Sequence, residues 1–186
     1  MSSKIRLYFP DKIQSDLSSH LTSEQTHYVK DVMRLKMGDK ISIFNTLGEW
    51  DAIIESYEKN GTKIKIMEKT RNKDNEKNIW LGFSPIKQSP MNFVIQKGTE
   101  LGVQKFIPIL SERTIVRKIN IERLKKIILE ASEQSNRISV PEINKLESLE
   151  NFLSTFPKNG FLIFGDINSN QKNLKKILEK KIDGPI

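Results

Sequence analysis

The chain has 186 residues, 37% of them apolar and 29% charged, which is apolar enough for packed cores and excludes an intrinsically disordered chain. Lys and Arg number 31 against 23 Asp and Glu, and the formal net charge of +8 favours polyanionic partners, because each bound phosphate releases counterions. The absence of cysteine excludes disulfides and thiolate metal sites, His20 and His27 are too few for a histidine metal cluster, and MSSKIRLYF carries no apolar secretion core, so the expectation is a cytoplasmic protein with no metal and no membrane segment.

From Lys4 to about Thr70 the pattern is mainly β. Ile5, Leu7 and Phe9 alternate with Arg6 and Tyr8, as a half-buried strand requires. A helix is expected from about Glu24 to Leu35, with Ser23 as N-cap and Val29, Val32 and Met33 as its apolar stripe. Alternation resumes over Lys40 to Phe44, after the turn pair Gly38-Asp39, and again over Trp50 to Tyr57. Asn60-Gly61 predicts a hairpin turn into the strand Thr62 to Met67. Short strands with one helix describe a small β-barrel over residues 1–72. Residues 71–78, RNKDNEKN, are wholly polar, and the interdomain linker is placed at 73–78.

The period then changes. Ile79 to Phe83 is apolar without alternation, the mark of a strand covered on both faces. Ser89-Pro90 is expected to open a helix with Met91, Val94, Ile95, Gly98 and Leu101 on one face and Gly102 as its stop. Phe106 to Leu110 reads as the next strand, with Pro108 implying an edge or a strand end. Asn120 caps a second helix through Ala131, Phe161 to Phe164 reads as a third strand, and Leu174, Ile177 and Leu178 mark a third helix. Strand–helix alternation of this kind implies parallel strands with right-handed crossovers over residues 79–186. A fourth strand is expected where the sequence reaches Gly184-Pro185-Ile186.

No glycine-rich phosphate loop and no nucleophile or zinc-protease motif occurs, and Gly98-Thr99-Glu100-Leu101-Gly102 lies inside a helix. More specific are three ordered strings: QKGTELGV at 96–103, IPILSERT at 107–114 and ASEQSNRISVPEI at 131–143. With HYVKDVMRLKMGDKI at 27–41 they resemble the bacterial 16S ribosomal RNA uracil-N(3)-methyltransferases along nearly the whole chain. That resemblance implies an α/β chain: a PUA-like RNA-binding barrel, then the first part of a parallel-sheet SPOUT methyltransferase domain, the trefoil-knot fold. It further implies S-adenosylmethionine as cofactor, 16S rRNA and the small ribosomal subunit as partner, and a homodimer. The family's cofactor loops, G-P-E-G-G and a later L-x-x-R-x-L-R-x-E-T-A stretch, do not occur here, so cofactor-binding residues are expected beyond Ile186. The acidic residue usual in the first turn of the family's first domain helix is replaced by Asn92.

The residue-level expectations follow from these motifs. Lys30 and Arg34, four apart, form either a solvated face or, with Arg6 and Lys36, the phosphate-contacting patch that the PUA resemblance favours. Lys87, Lys97, Glu100, Glu112, Arg113, Glu133, Gln134 and Arg137 are motif positions placed near the active site. Lys97 and Glu100 could equally be an exposed ion pair, and Glu133, Gln134 and Arg137 could hold a helix end. Glu112 and Arg113 follow a parallel strand, where open α/β sheets place ligands. His27 reads as structural, and Asp166 as a loop cap or a site residue; no general base is assigned. The implied chemistry is in-line methyl transfer to the uracil nitrogen, in which positioning supplies much of the rate. The other reading is a chain that binds RNA without catalysing transfer.

Overall fold

The computed structural model describes residues 5–73, 75–165 and 184–186. Contacts group residues 1–75 with 129–140 as a first unit, and 76–128 with 141–186 as a second.

In the first unit the alternating segments become a five-stranded sheet. Its strands are β1 (Arg6–Tyr8), β2 (Ser18–His20), β3 (Lys40–Asn45), β4 (Gly48–Glu58) and β5 (Gly61–Asn72), in the order β1-β3-β4-β5-β2. β1 is parallel to β3 and the other pairs are antiparallel. Leu7, Ile41, Ile43, Ala52, Ile54, Ile64 and Ile66 pack in one core cluster, all at most 2% exposed. Burial of each larger member contributes roughly 1.5–3 kcal/mol, so this cluster dominates the unit's stability.

Two local expectations shift. Glu58 pairs with Gly61, so the two-residue loop is Lys59-Asn60 and Gly61 already belongs to β5. Gly61 sits at φ +132°, and a Cβ there would lie 2.7 Å from the Leu21 carbonyl oxygen. The glycine therefore answers a close backbone approach rather than the turn. The helix begins one residue earlier than expected and ends sooner: α1 spans Ser23–His27 with Thr22 as N-cap. Thr22 Oγ1 accepts from the Gln25 amide, and the Gln25 side chain accepts from the Thr22 amide, closing a capping box. A π-helix, Tyr28–Val32, follows. Its wider turn breaks the 3.6-residue stripe, leaving Val29 buried while Val32 and Met33 face solvent.

The second unit is built on parallel pairing. It contains β6 (Ile79–Phe83), α2 (Gln88–Glu100), β7 (Val103–Leu110), the first part of α3 (Ile121–Gln134), β8 (Glu142–Ile143), β9 (Glu147–Ser148) and α4 (Leu149–Thr155). β7 pairs with β6 on one side and with β8 and β9 on the other, all parallel. Pro108 is thus in a central strand rather than at an edge. β8 meets β7 at Lys105 and Phe106 and β9 meets it at Ile109 and Leu110, so Pro108 falls between the two partners, where no ladder donor is used. α2 starts at Gln88 with Lys87 as N-cap, which places Pro90 in the first turn, where its missing N–H has no helical partner to lose. Gly102, at φ +99°, ends that helix as expected, and Leu101 is exposed at the cap instead of lying on the buried face. Asn120 caps α3 as expected, its side-chain oxygen accepting from the Arg123 amide at 3.0 Å.

Phe161 to Phe164 is not a strand. The places beside β7 are taken by the two-residue strands β8 and β9, and Leu162, Ile163 and Phe164 are exposed. Phe161 instead donates its N–H to the Pro185 carbonyl. Ile186 donates to Asn78 O and accepts from Trp80 N, the bonding pattern of a parallel neighbour centred on Ile79. The third helix and Asp166 lie outside the described residues.

Candidate functional site

In the first unit the π-helix and the loop after it present Lys30, Arg34 and Lys36 to solvent. Arg34 adopts φ +54°, a left-handed conformation rare for a branched or long side chain, and it ends the helical stretch. The loop is held from both sides. Leu35 N–H donates to Val29 O at 2.9 Å, and Tyr57 Oη donates to Leu35 O at 2.7 Å. Lys36 N–H donates to Asp39 Oδ2 at 2.7 Å. Lys30 Nζ lies 5.4 Å from the centre of the Tyr57 ring. His27 Nδ1 is 2.8 Å from Asp31 Oδ2, so His27 belongs to an exposed pair on the same helical segment. Tyr28, Val32, Met33 and Met37 are exposed among these cations. Exposed apolar and aromatic groups interleaved with Lys and Arg suit a splayed nucleic acid, whose phosphates and bases need both kinds of contact.

Arg6 is placed differently. Its side chain is 10% exposed and pairs bidentately with Glu49, Nε to Oε1 at 3.0 Å and Nη2 to Oε2 at 3.1 Å. Its remaining donors reach Ser132 O at 3.3 Å, Glu133 O at 2.9 Å and Arg137 O at 2.8 Å. The guanidinium also lies 4.4 Å from the centre of the Phe44 ring. The last turn of α3 has no basic residue of its own, and Arg6 supplies the charge that its carbonyls attract. Arg71 joins the cluster through Glu49 Oε2 at 3.4 Å and through Asn136 O and Oδ1 at 3.0 Å. Glu133 accepts the Tyr8 N–H at 2.9 Å. Burial pushes its carboxyl above the usual range, outweighing the lowering by that amide. Arg137 is buried and donates to Ser139 Oγ at 2.8 Å, whereas Gln134 is exposed at the helix end. Arg6, Glu133 and Arg137 are thus gathered in one place, around the end of α3, and Lys30, Arg34 and Lys36 in another.

In the second unit the C-terminal ends of β6 and β7 are joined by Ser84 Oγ and Ser111 Oγ, 3.3 Å apart. Ser111 N–H donates to Thr114 Oγ1 at 2.9 Å and Thr114 N–H to Ser111 O at 3.0 Å, so the loop is a closed turn with Glu112 and Arg113 exposed at its tip. Ser84, Ser111 and Thr114 were not anticipated. The rule that parallel sheets place their sites beyond strand ends points to loop residues of this kind. Lys97 Nζ donates to Glu100 Oε2 at 2.7 Å and Gln96 Nε2 to Oε1 at 3.0 Å. These bonds, the lysine's first, hold the Glu100 carboxyl below the usual range. Lys87 is exposed at the α2 cap. A cleft of about 320 Å³ opens between the start of α2, the loop before α3 and the start of α3. Gln88, Asn92, Lys118, Asn120 and Arg123 line it over an apolar floor that includes Met91 and Leu124. With its amide oxygen turned toward Arg123, Asn92 accepts from Nη2 at 2.7 Å and donates to Gln88 O at 3.2 Å. Among the described residues there is no group of acidic residues and histidines able to hold a metal, and no helix long and apolar enough to cross a membrane.

Residues 73–184 match the family model described as an RNA methyltransferase domain, and residues 21–67 match an RNA methyltransferase PUA domain. A ribosomal RNA small subunit methyltransferase E of Rickettsia conorii is 31% identical over 90% of this chain and 69% of its own length. The Bacillus subtilis enzyme of the same name is 32% identical over 72% of this chain and 55% of its own length. The chain belongs to the small-subunit ribosomal RNA methyltransferase E family. Solved structures agree with that membership. A Legionella pneumophila methyltransferase in complex with S-adenosylmethionine superposes with a TM-score of 0.80 at 28% identity, covering 89% of this chain and 72% of that one. A family member from Neisseria gonorrhoeae, also bound to S-adenosylmethionine, gives 0.76 at 28% identity, covering 84% and 67%. The family's PUA domain and RNA methyltransferase domain correspond to the mixed sheet and to the parallel sheet described above.

Proposed function

We propose that this protein takes part in S-adenosylmethionine-dependent methylation of the N3 atom of a uridine in 16S rRNA, in the cytoplasm and as a homodimer. The observation that carries the reading is family membership across both domains, with Lys30, Arg34 and Lys36 falling inside the matched PUA domain. Relatives aligned over 90% and 72% of this chain are named for the small-subunit rRNA, and two similar structures hold S-adenosylmethionine. When bound, that group supplies an activated methyl on a sulfonium. The one cleft described above does not fit it, since it presents Lys118 and Arg123 and no carboxylate to a cationic sulfur. No step is therefore assigned to a cofactor-binding residue of this chain.

What these residues do is bind and position. Lys30, Arg34 and Lys36 neutralise phosphates, and the exposed side chains around them hold unstacked bases. Glu112 and Arg113, at the tip of the loop after β7, stand where a base would approach the strand ends. The cationic cleft also favours a second reading, RNA binding without transfer. Methyl transfer from labelled S-adenosylmethionine to small-subunit RNA separates the two. Transfer supports the first reading; RNA binding with neither transfer nor calorimetric binding of S-adenosylmethionine supports the second.

The patch has its own test. Lys30→Ala with Arg34→Ala should weaken RNA binding and lower the slope of log K against log salt by roughly 1–2, the share of two phosphate contacts. An unchanged slope would remove these residues from the interface.

A further inference from the structure

We propose that the cleft between the starts of α2 and α3 is a second RNA subsite, one that takes a phosphodiester of the RNA chain; this rests on the RNA-binding reading above. Three observations carry it. First, the cleft has cations without counter-charges. Lys118 and Arg123 both line it and no Asp or Glu does; among the described residues neither cation is ion-paired. In a chain with 23 acidic residues such an arrangement leaves two positive charges to be neutralised from outside. Second, the guanidinium is oriented by a neutral group. With its oxygen turned toward Arg123, the Asn92 amide accepts from Nη2 at 2.7 Å, which fixes the fork in place and leaves its full charge available. Third, size and lining match the ligand. About 320 Å³ is at the small end of ligand clefts, suited to one backbone unit rather than to a large cofactor. The amides of Gln88 and Asn120 add neutral donors beside the charges, as sugar and phosphate oxygens require.

These residues belong to the second unit, so the subsite is separate from the Lys30–Arg34–Lys36 patch of the first. Its role is to anchor the strand on the unit that carries the strand-end loops.

The test is fluorescence anisotropy with a labelled oligouridylate, using the full chain over a salt series. Lys118→Gln with Arg123→Gln should bind roughly five- to tenfold more weakly and lower the salt slope by about 0.7–1.4, the value for one or two contacts to a single strand. Lys118→Gln alone, on an exposed loop, should give part of the loss with unchanged thermal unfolding, and Arg123→Lys should recover part of it. Lys125→Gln, which removes a charge already paired with Glu122 at 2.8 Å, is the control for bulk charge. An equal effect of Lys125→Gln, or none in the double variant, overturns the subsite. If the cleft variants bind normally while Lys30→Ala with Arg34→Ala does not, only the subsite falls; if the unaltered chain binds no RNA, both readings fall. Inorganic phosphate followed by the Arg123 side-chain NMR signal identifies the source of the anion. Weak, millimolar shifts are expected, and tight saturation by phosphate without an effect on the oligonucleotide overturns the RNA assignment.

Discussion

Arg6 and Glu133 show how much of a residue's role depends on partners far away in sequence. In the string Ile5-Arg6-Leu7-Tyr8-Phe9 an arginine between apolar residues reads as solvent-facing, and the alternation itself is correct. The polar face of β1 is nonetheless occupied, because Glu49 and the end of α3 meet the guanidinium there. No local pattern encodes a partner 126 residues away. Glu133 yields a pH prediction. Its carboxyl holds a proton more tightly in the folded chain than the ordinary value of 4.5. Both states are protonated well below that value. As pH rises through 4.5 the unfolded chain releases its proton first, so stability falls with pH until the folded carboxyl also ionises. Glu133→Gln keeps an oxygen for the Tyr8 amide and cannot ionise. Urea unfolding as a function of pH should therefore show a flatter profile and a more stable protein above this window, and a profile identical to the parent would refute the assignment.

At the level of elements, helices with strong periodicity and glycine stops were legible, and boundaries set by other segments were not. α3 and its Asn120 cap follow from its own residues. The π-helix does not, because its wider turn rests on the Met33 N–H bonding to Tyr28 O, a register that no apolar period in the sequence marks. The strands β8 and β9 are two residues each, too short to show any period, while Phe161 to Phe164 has the composition of a strand without one's pairing. Gly98 tests how closely α2 lies on β7. A Cβ there would meet Phe106 Cε1 at 2.8 Å and Val103 Cγ2 at 3.5 Å. Gly98→Ala gains about 1 kcal/mol of helix propensity and loses about 1–3 kcal/mol to overpacking against a fully buried ring. A net loss of up to about 2 kcal/mol is expected in chemical denaturation. A double-mutant cycle with Phe106→Leu should give a favourable coupling; additive effects would show that the contact is not tight.

For the molecule as a whole, the sequence conveyed the order of a mainly β segment and a parallel α/β segment, because the change in hydrophobic period is a property of long stretches. The candidate sites were legible only as residue types. Lys30 and Arg34 share an exposed patch, whereas the cleft cations Lys118 and Arg123 belong to no motif and became visible through the packing of α2 beside α3. Protection against hydrogen exchange should follow the same division between long and short elements. Amides of Ile41, Ile43, Ala52 and Ile64 should exchange only by global opening of the first unit, and those of the π-helix far faster; uniform protection would contradict the placement of its core. The guanidinium of Arg6 has a consequence for biosynthesis. Its carbonyl partner at Arg137 is 131 residues downstream. At about 5–20 residues per second, roughly 7–26 s of translation separate the two. The last strand of the sheet ends at Asn72, 65 residues before Arg137, so for about the final 3–13 s of that interval all five strands have been synthesised while the Arg6 donors meant for α3 have no partner. Completion of this fold is therefore timed by the ribosome, and a chaperone that shields the nascent sheet would act within that delay.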